Sequence, residues 1–198
     1  ERPPRTDGVV RRAGGGGYSL SVEALGVPVF VCDAEGRVAA LDLHLYCNAG
    51  NSLDLSAAIM DRALLHCDNC YKIPHMRAQG HVCRTNIPSN TAFRGFGGPQ
   101  GMLLTEMMVD RIASHVGKPV EVVRELNMYR EGEKTHYGQV LEDCHARRCW
   151  QEGMANSDYC TRKSGVEAYN LEHRWRKRGL AFTPTKFGIS FTTKFLNQ

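Results

Sequence analysis

The stretch Gly95-Phe96-Gly97-Gly98-Pro99 limits this chain's folding options more than any other. Glycines permit backbone conformations and close approaches that other residues resist, and proline suits the first turn of a helix. The run from Pro99 to about Val116 carries helical periodicity and stops at Gly117, a favoured residue just past a helix end. A glycine loop therefore feeds a helix N-terminus, where free N–H groups and the positive end of the helix dipole face outward. Phe96, flanked by glycines, has few local neighbours and could form one wall of a flat pocket, stacking on a planar heterocycle. The alternative is a core phenylalanine at a glycine-rich helix entry. No Lys-Ser/Thr follows the loop and a full G-x-G-x-x-G is absent, so phosphate binding is not favoured.

The 198 residues include 20 glycines, where an average chain of this length would hold about 14. Much of the excess lies in this loop and in Gly14 to Gly17. Residues 1–27 pair that second run with Arg2-Pro3-Pro4-Arg5 and little apolar periodicity, and are expected to be a flexible lead-in. From residue 28 the pattern becomes that of an α+β domain of mixed helices and strands. Val29 to Val31, the turn residues Asp33 to Gly36, and Val38 to Tyr46 predict a β-hairpin. Asn48 to Asn51 reads as a loop. Asp54 or Ser56 is the expected cap of a helix whose Ile59, Ala63 and Cys67 are spaced by four, ending near His66 or Asp68. Tyr71 to Asn90 reads as an extended segment. Further helices are expected over Val120 to Tyr129, Arg147 to Ala155 and Ser157 to Trp175, the last with Arg174, Arg176, Lys177 and Arg178 at its negative end. Leu180 to Leu196 holds β-prone pieces, with Ile189 to Thr193 as a strand.

Charge discriminates little: 25 Lys+Arg against 21 Asp+Glu leave a net charge of +4, and basic residues are not interleaved with aromatics, so neither nucleic acid nor a membrane is an expected partner. No run approaches the roughly 18 apolar residues of a membrane span. Eight cysteines without an apolar leader read as free thiols of an intracellular protein. Arg62 lies off the apolar stripe of its helix. Its ordinary reading is a solvated side chain, and its functional reading is a fixed cationic fork for an oxygen that gains charge. Cys67-Asp68-Asn69-Cys70, near His66, His75, His81 and Cys83, supplies the alternative of a non-enzymatic zinc-binding or interaction module, on the weak signal of one C-x-x-C.

The stretch Arg84 to Gly101 closely resembles the molybdenum-cofactor region of the xanthine dehydrogenase/oxidase family, molybdenum hydroxylases. The likeness continues through Cys70 to Pro74, Cys149-Trp150, Trp175 to Leu180 and Pro184 to Phe191, covering about four fifths of the chain. It implies a partial molybdopterin-binding domain over residues 28–198. The related aldehyde oxidases typically lack the arginine matching Arg62 and differ at the second glycine of Gly97-Gly98, so both positions favour the xanthine branch. In such enzymes hypoxanthine and xanthine are hydroxylated to urate at a molybdenum-molybdopterin centre, and electrons leave through 2Fe-2S clusters and FAD to NAD⁺ or O₂. By this resemblance Arg62 and Phe96 contact the purine, and Arg94 approaches the molybdenum ligands through its main chain. The family's general-base glutamate, a second substrate-contacting glutamate and an upstream glycine/phenylalanine motif have no match here; Ala13 to Tyr18 is glycine-rich without matching that motif. The resemblance thus implies a fragment of an enzyme that is homodimeric and cytoplasmic, or peroxisomal, and it implies that this stretch alone is inactive. A third reading is a chain that pairs with full-length subunits and modulates them.

Overall fold

The computed structural model describes residues 10–13, 17–21 and 29–188. Within these, β1 (Val10–Ala13), β2 (Gly17–Ser21), β3 (Val29–Cys32), β4 (Val38–Gly50) and β5 (His75–Arg84) form one sheet in the order β1-β2-β3-β4-β5. The first three junctions are antiparallel, whereas β4 and β5 run parallel. The helices are α1 (Ser56–His66), α2 (Gly98–Val116), α3 (Val120–Asn127), α4 (Ala146–Asn156) and α5 (Tyr159–Glu172). The expected α+β class holds.

The expected hairpin is present as β3 and β4. Asp33 makes its turn: the carboxylate accepts the N–H groups of Glu35 at 3.0 Å and Arg37 at 2.8 Å. The buried Asn127 at the end of α3 holds it, accepting from the Val38 N–H at 2.8 Å and donating to the Gly36 carbonyl at 2.9 Å. Strand β4 continues to Gly50, through residues expected to be a loop, because its parallel partner β5 supplies ladder hydrogen bonds as far as Arg84. α1 then provides the crossover that a parallel pair needs. Val10–Ala13 and Gly17–Ser21, inside the stretch expected to be a flexible lead-in, are strands, since main-chain pairing of β2 with β3 and of β1 with β2 needs no apolar alternation. The remainder of residues 1–27, Gly14 to Gly16 included, lies outside the described residues.

Alternation along β4 buries Leu41, Leu43 and Leu45 on one side of the sheet. There they join Phe30, Met60, Ala63, Met108, Ile112 and Val123 in one apolar core. α1 carries no side-chain cap, contrary to expectation. Asp54 instead adopts a left-handed conformation (φ 41°), accepting from the Leu55 N–H at 2.7 Å and from the Thr91 hydroxyl. It thereby ties the loop before the glycine stretch to the start of α1.

α2 matches its expected bounds to one residue, and Gly117 closes it at φ 66° with its N–H on the Ala113 carbonyl. Its glycines let it lie against α1. A Cβ on Gly97 would stand 2.1 Å from the Ile59 carbonyl oxygen, and one on Gly101 2.3 Å from that of Ala63. The Thr105 hydroxyl completes the contact by donating to the Cys67 carbonyl.

α3 ends two residues before its expected bound, where Met128 turns extended to bridge Tyr71. α5 ends at Glu172, so the basic residues follow the helix rather than finishing it. They fold back nonetheless: Lys177 donates to the Asn170 carbonyl, and Arg178 lies 3.9 Å over the Tyr169 ring. Residues 180–188 contain no strand. They form an extended strap held by side chains, and the expected strand Ile189 to Thr193 lies outside the described residues. No described helix is long and apolar enough to cross a membrane.

Candidate functional site

Three elements meet at the junction of α1 and α2: the turn of α1 around Arg62, the loop 93–98 and the strap 184–188. Arg62 is buried, at 4% exposure, so the solvated reading of its position fails. Periodicity placed it off the apolar stripe correctly, but the side of α1 it occupies is covered by the strap. Its Nη1 donates to the Gly188 carbonyl at 3.1 Å, and its guanidinium lies 5.0 Å over the Phe187 ring. Burial works against its charge and lowers its pKa.

The loop sits against the same helical turn through Gly97, whose φ of 97° and contact with Ile59 both require glycine. At Gly98 the missing side chain leaves room for Phe187, which a Cβ would approach to 2.5 Å. Phe187 therefore touches both the loop and Arg62. Phe96 is half-buried and adopts a left-handed conformation (φ 51°), with its N–H on the Phe93 carbonyl at 2.9 Å. Such a conformation is unusual for a bulky aromatic residue and costs about 1–3 kcal/mol. Arg94 precedes it with its side chain in solvent, as does Phe93.

The strap is fastened along α1's C-terminal turn. Asn69 donates to the Pro184 carbonyl at 3.0 Å and accepts the Lys186 N–H at 3.2 Å. Lys186 Nζ reaches Asp68 at 2.5 Å and lies over the rings of Tyr129 and Tyr137. Asp68 is fully buried; it also accepts the Tyr129 hydroxyl at 2.9 Å, while its Oδ1 has no partner among the described residues. Burial pushes its carboxyl up, but His136 and Lys186 outweigh that and hold it below the usual carboxylate range. Asp68 therefore contributes stability that is complete above the unfolded-state value near 4 and is lost as pH falls through the lower folded value. The melting temperature is expected to fall as pH drops below about 4, the unfolded-state value, toward the lower folded-state one. Asp68→Asn should melt lower at neutral pH and vary less across that window, as thermal denaturation followed by circular dichroism would show.

Behind the strap, Trp150, Phe182, Tyr129, Cys70 and Cys144 line a half-open cavity of about 660 Å³, with Lys186 and Phe187 on its rim. The Cys67/Cys70 pair serves the core. Both residues are buried, the Cys67 thiol donates to the Leu64 carbonyl at 3.0 Å, and burial pushes the Cys70 thiol up to about 12 and Cys67 higher still. No three His, Cys, Asp or Glu side chains gather as a metal-binding group among the described residues, so the zinc alternative has no ligand set there. Phe187, His66 and Lys186 are site residues that reasoning from spacing missed. The resemblance of Pro184 to Phe191 was the only signal for Phe187 and Lys186, and His66 was singled out only as a neighbour of the Cys67/Cys70 pair.

Residues 29–128 match the family model described as "Molybdopterin cofactor-binding domain". The xanthine dehydrogenase/oxidase of Felis catus is 57% identical over 82% of this chain, and xanthine dehydrogenase 1 of Arabidopsis thaliana is 52% identical over 83%. In both cases the chain spans 12% of the relative's length. The aldehyde oxidoreductase of Desulfovibrio desulfuricans shares the fold, with a TM-score of 0.65 and 24% identity over 77% of this chain and 16% of that one. The chain therefore belongs to the molybdopterin cofactor-binding domain family and, within it, is a homologue of part of the xanthine dehydrogenases/oxidases.

Proposed function

We propose that residues 28–198 form part of the molybdenum-cofactor unit of a xanthine dehydrogenase/oxidase, with Arg62 and Phe96 as purine-binding residues and the Arg94 main chain facing the metal group. The observation that carries this reading is the burial of Arg62 beside the glycine loop, anchored to Gly188. A guanidinium already stripped of water and fixed by a main-chain carbonyl loses little further solvation or entropy when a purine oxygen arrives, and it is permanently charged. Phe96 supports the reading through its strained backbone, a cost commonly tolerated where a side chain must be aimed.

The donor set suits a metal that arrives with its own organic ligand, because the loop offers glycines and an exposed rim at Phe93 and Arg94 instead of liganding side chains. When bound, the cofactor supplies the two-electron oxidation that turns a ring C–H into C–OH. Arg62 holds the purine oxygen and stabilises charge developing on the ring, and Phe96 stacks on the heterocycle. The 2Fe-2S, FAD and NAD⁺ steps, the homodimer and the cytoplasmic or peroxisomal setting belong to the full-length enzyme of this proposal.

In that enzyme Arg62→Met should reduce xanthine turnover by about 10²–10³-fold, the usual loss for one preorganised donor at a charge-developing oxygen. Urate formation by the variant and wild type, at matched molybdenum content, checks this. Unchanged turnover would mean that Arg62 has another role.

A further inference from the structure

We propose that His66 is the positioning residue for Arg62, acting through Gly188 as a latch that is closed only while the imidazole is neutral. The purine-binding role of Arg62 comes from the reading above; the latch itself comes from hydrogen-bond geometry.

Arg62 and His66 stand one turn apart on α1, and Gly188 bridges them. The Gly188 N–H donates to His66 Nε2 at 3.1 Å, while the Gly188 carbonyl accepts from Arg62 Nη1 at 3.1 Å. A nitrogen that accepts an N–H carries a lone pair, which fixes the proton on Nδ1. That Nδ1–H is positioned to donate to the Arg62 carbonyl, 2.9 Å away. Both ring nitrogens are thus engaged in one tautomer, and the ring also packs on Phe187 at 4.9 Å. At 5% exposure, the imidazole has little access to water as a substitute partner. A second proton would set N–H against N–H at Gly188 and release the carbonyl that fixes Arg62.

The charged and titratable neighbours act in both directions. Arg62 on α1 and Lys186 on the strap oppose a second positive charge. Asp68 favours it, but its carboxylate already holds Lys186 and the Tyr129 hydroxyl and is faced by His136 at 3.6 Å. Tyr137 faces Arg62 from the same loop as His136. Burial dominates, lowering the His66 pKa from 6.5. The sign follows: an opened latch binds a proton more readily than a closed one, so closure is complete above about pH 6.5 and weakens as pH falls through the lower closed-state value.

Three versions of the full 198-residue chain test the latch: wild type, His66→Gln and His66→Asn. Glutamine places an acceptor near the position of Nε2, whereas asparagine ends short of it. Imidazole ¹⁵N shifts of wild type should show protonated Nδ1 and bare Nε2 at pH 7.5, with half-protonation below pH 6.5. Hydrogen exchange at the Gly188 amide should be about tenfold faster in His66→Asn, the loss expected for one hydrogen bond. His66→Gln should keep wild-type protection at pH 7.5 and, having no titrating group, retain it on acidification while wild type loses it. An Nε2–H tautomer, or equal exchange in the two variants, would overturn the latch. Xanthine binding by the full-length enzyme of the proposal carrying the same substitutions provides a separate readout: about tenfold weaker binding to His66→Asn alone supports the positioning role. Absence of xanthine binding by that wild-type enzyme would count against the purine reading, and the Gly188 amide of the 198-residue chain would still decide the latch.

Discussion

Glu106→Ala is expected to destabilise the chain by about 3–5 kcal/mol, the usual cost of breaking a buried ion pair from one side. Glu106 is the acceptor on which α2, α3 and the segment after α1 converge. Its Oε1 takes the Asn69 amide at 2.7 Å and the Tyr71 hydroxyl, and its Oε2 takes Arg124 Nε at 2.8 Å. Arg124 is 4% exposed, so deletion of the carboxylate leaves a cation with no water to replace it. Its remaining partner, Asp110, is 58% exposed, and solvent screening makes that pair a weak substitute. The loss is comparable to the whole stability of a marginal domain, which is about 5–15 kcal/mol. Denaturant unfolding should show a lower midpoint for Glu106→Ala. The double variant Glu106→Leu/Arg124→Met should recover much of the loss, because a well-packed apolar pair avoids the desolvation cost of both charges. If the double variant is no better than the single, the damage comes from lost packing and not from a stranded charge.

Gly97→Ala is expected to cost a similar amount and to disturb the site directly. Overpacking costs about 1–3 kcal/mol, and an unfavourable backbone conformation about 1–3 kcal/mol more. Here both apply, because the added Cβ would meet the Ile59 main chain at 2.1 Å while φ is 97°. The obstruction is main chain, which cannot rotate away as a side chain could, so the loop must lift from α1 or α1 must shift. Either movement separates Phe96 from the turn bearing Arg62. The variant should melt lower and also lose xanthine affinity in the full-length enzyme of the proposal. Gly117→Ala is the control: it shares a positive φ of 66°, but a Cβ there meets nothing within 4 Å. It should lose only the backbone cost, about 1–3 kcal/mol, and no affinity. Equal losses at the two positions would assign the effect to backbone strain alone.

Glu106 was invisible as a network centre in the sequence, since its partners Asn69, Tyr71 and Arg124 are 37, 35 and 18 residues away. Periodicity places Glu106 on α2 but says nothing of what faces it. Gly97 was different: the pair Gly97-Gly98 before Pro99 and an apolar periodic run marked the helix entry from local pattern alone. The likeness at Pro184 to Phe191 pointed to the strap without disclosing that it carries a latch.

What the sequence determined by itself is local. Pro99 and Gly117 bound α2, Asp33 to Gly36 turn the hairpin, and the helical spacing that includes Ala63 and Cys67 marks the inner face of α1, where Met60 joins them and Ile59 lies at the edge. Each signal lies within a few residues of the structure it dictates, where main-chain sterics and turn chemistry act. The tertiary structure decided that β4 runs on to Gly50 beside a parallel partner, that Asp54 ties a loop in place of capping a helix, and that Arg62 is buried. Arg62 meets Gly188 across 126 residues. Whether an arginine off the apolar stripe is solvated or enclosed depends on what covers it, and no local rule contains that information.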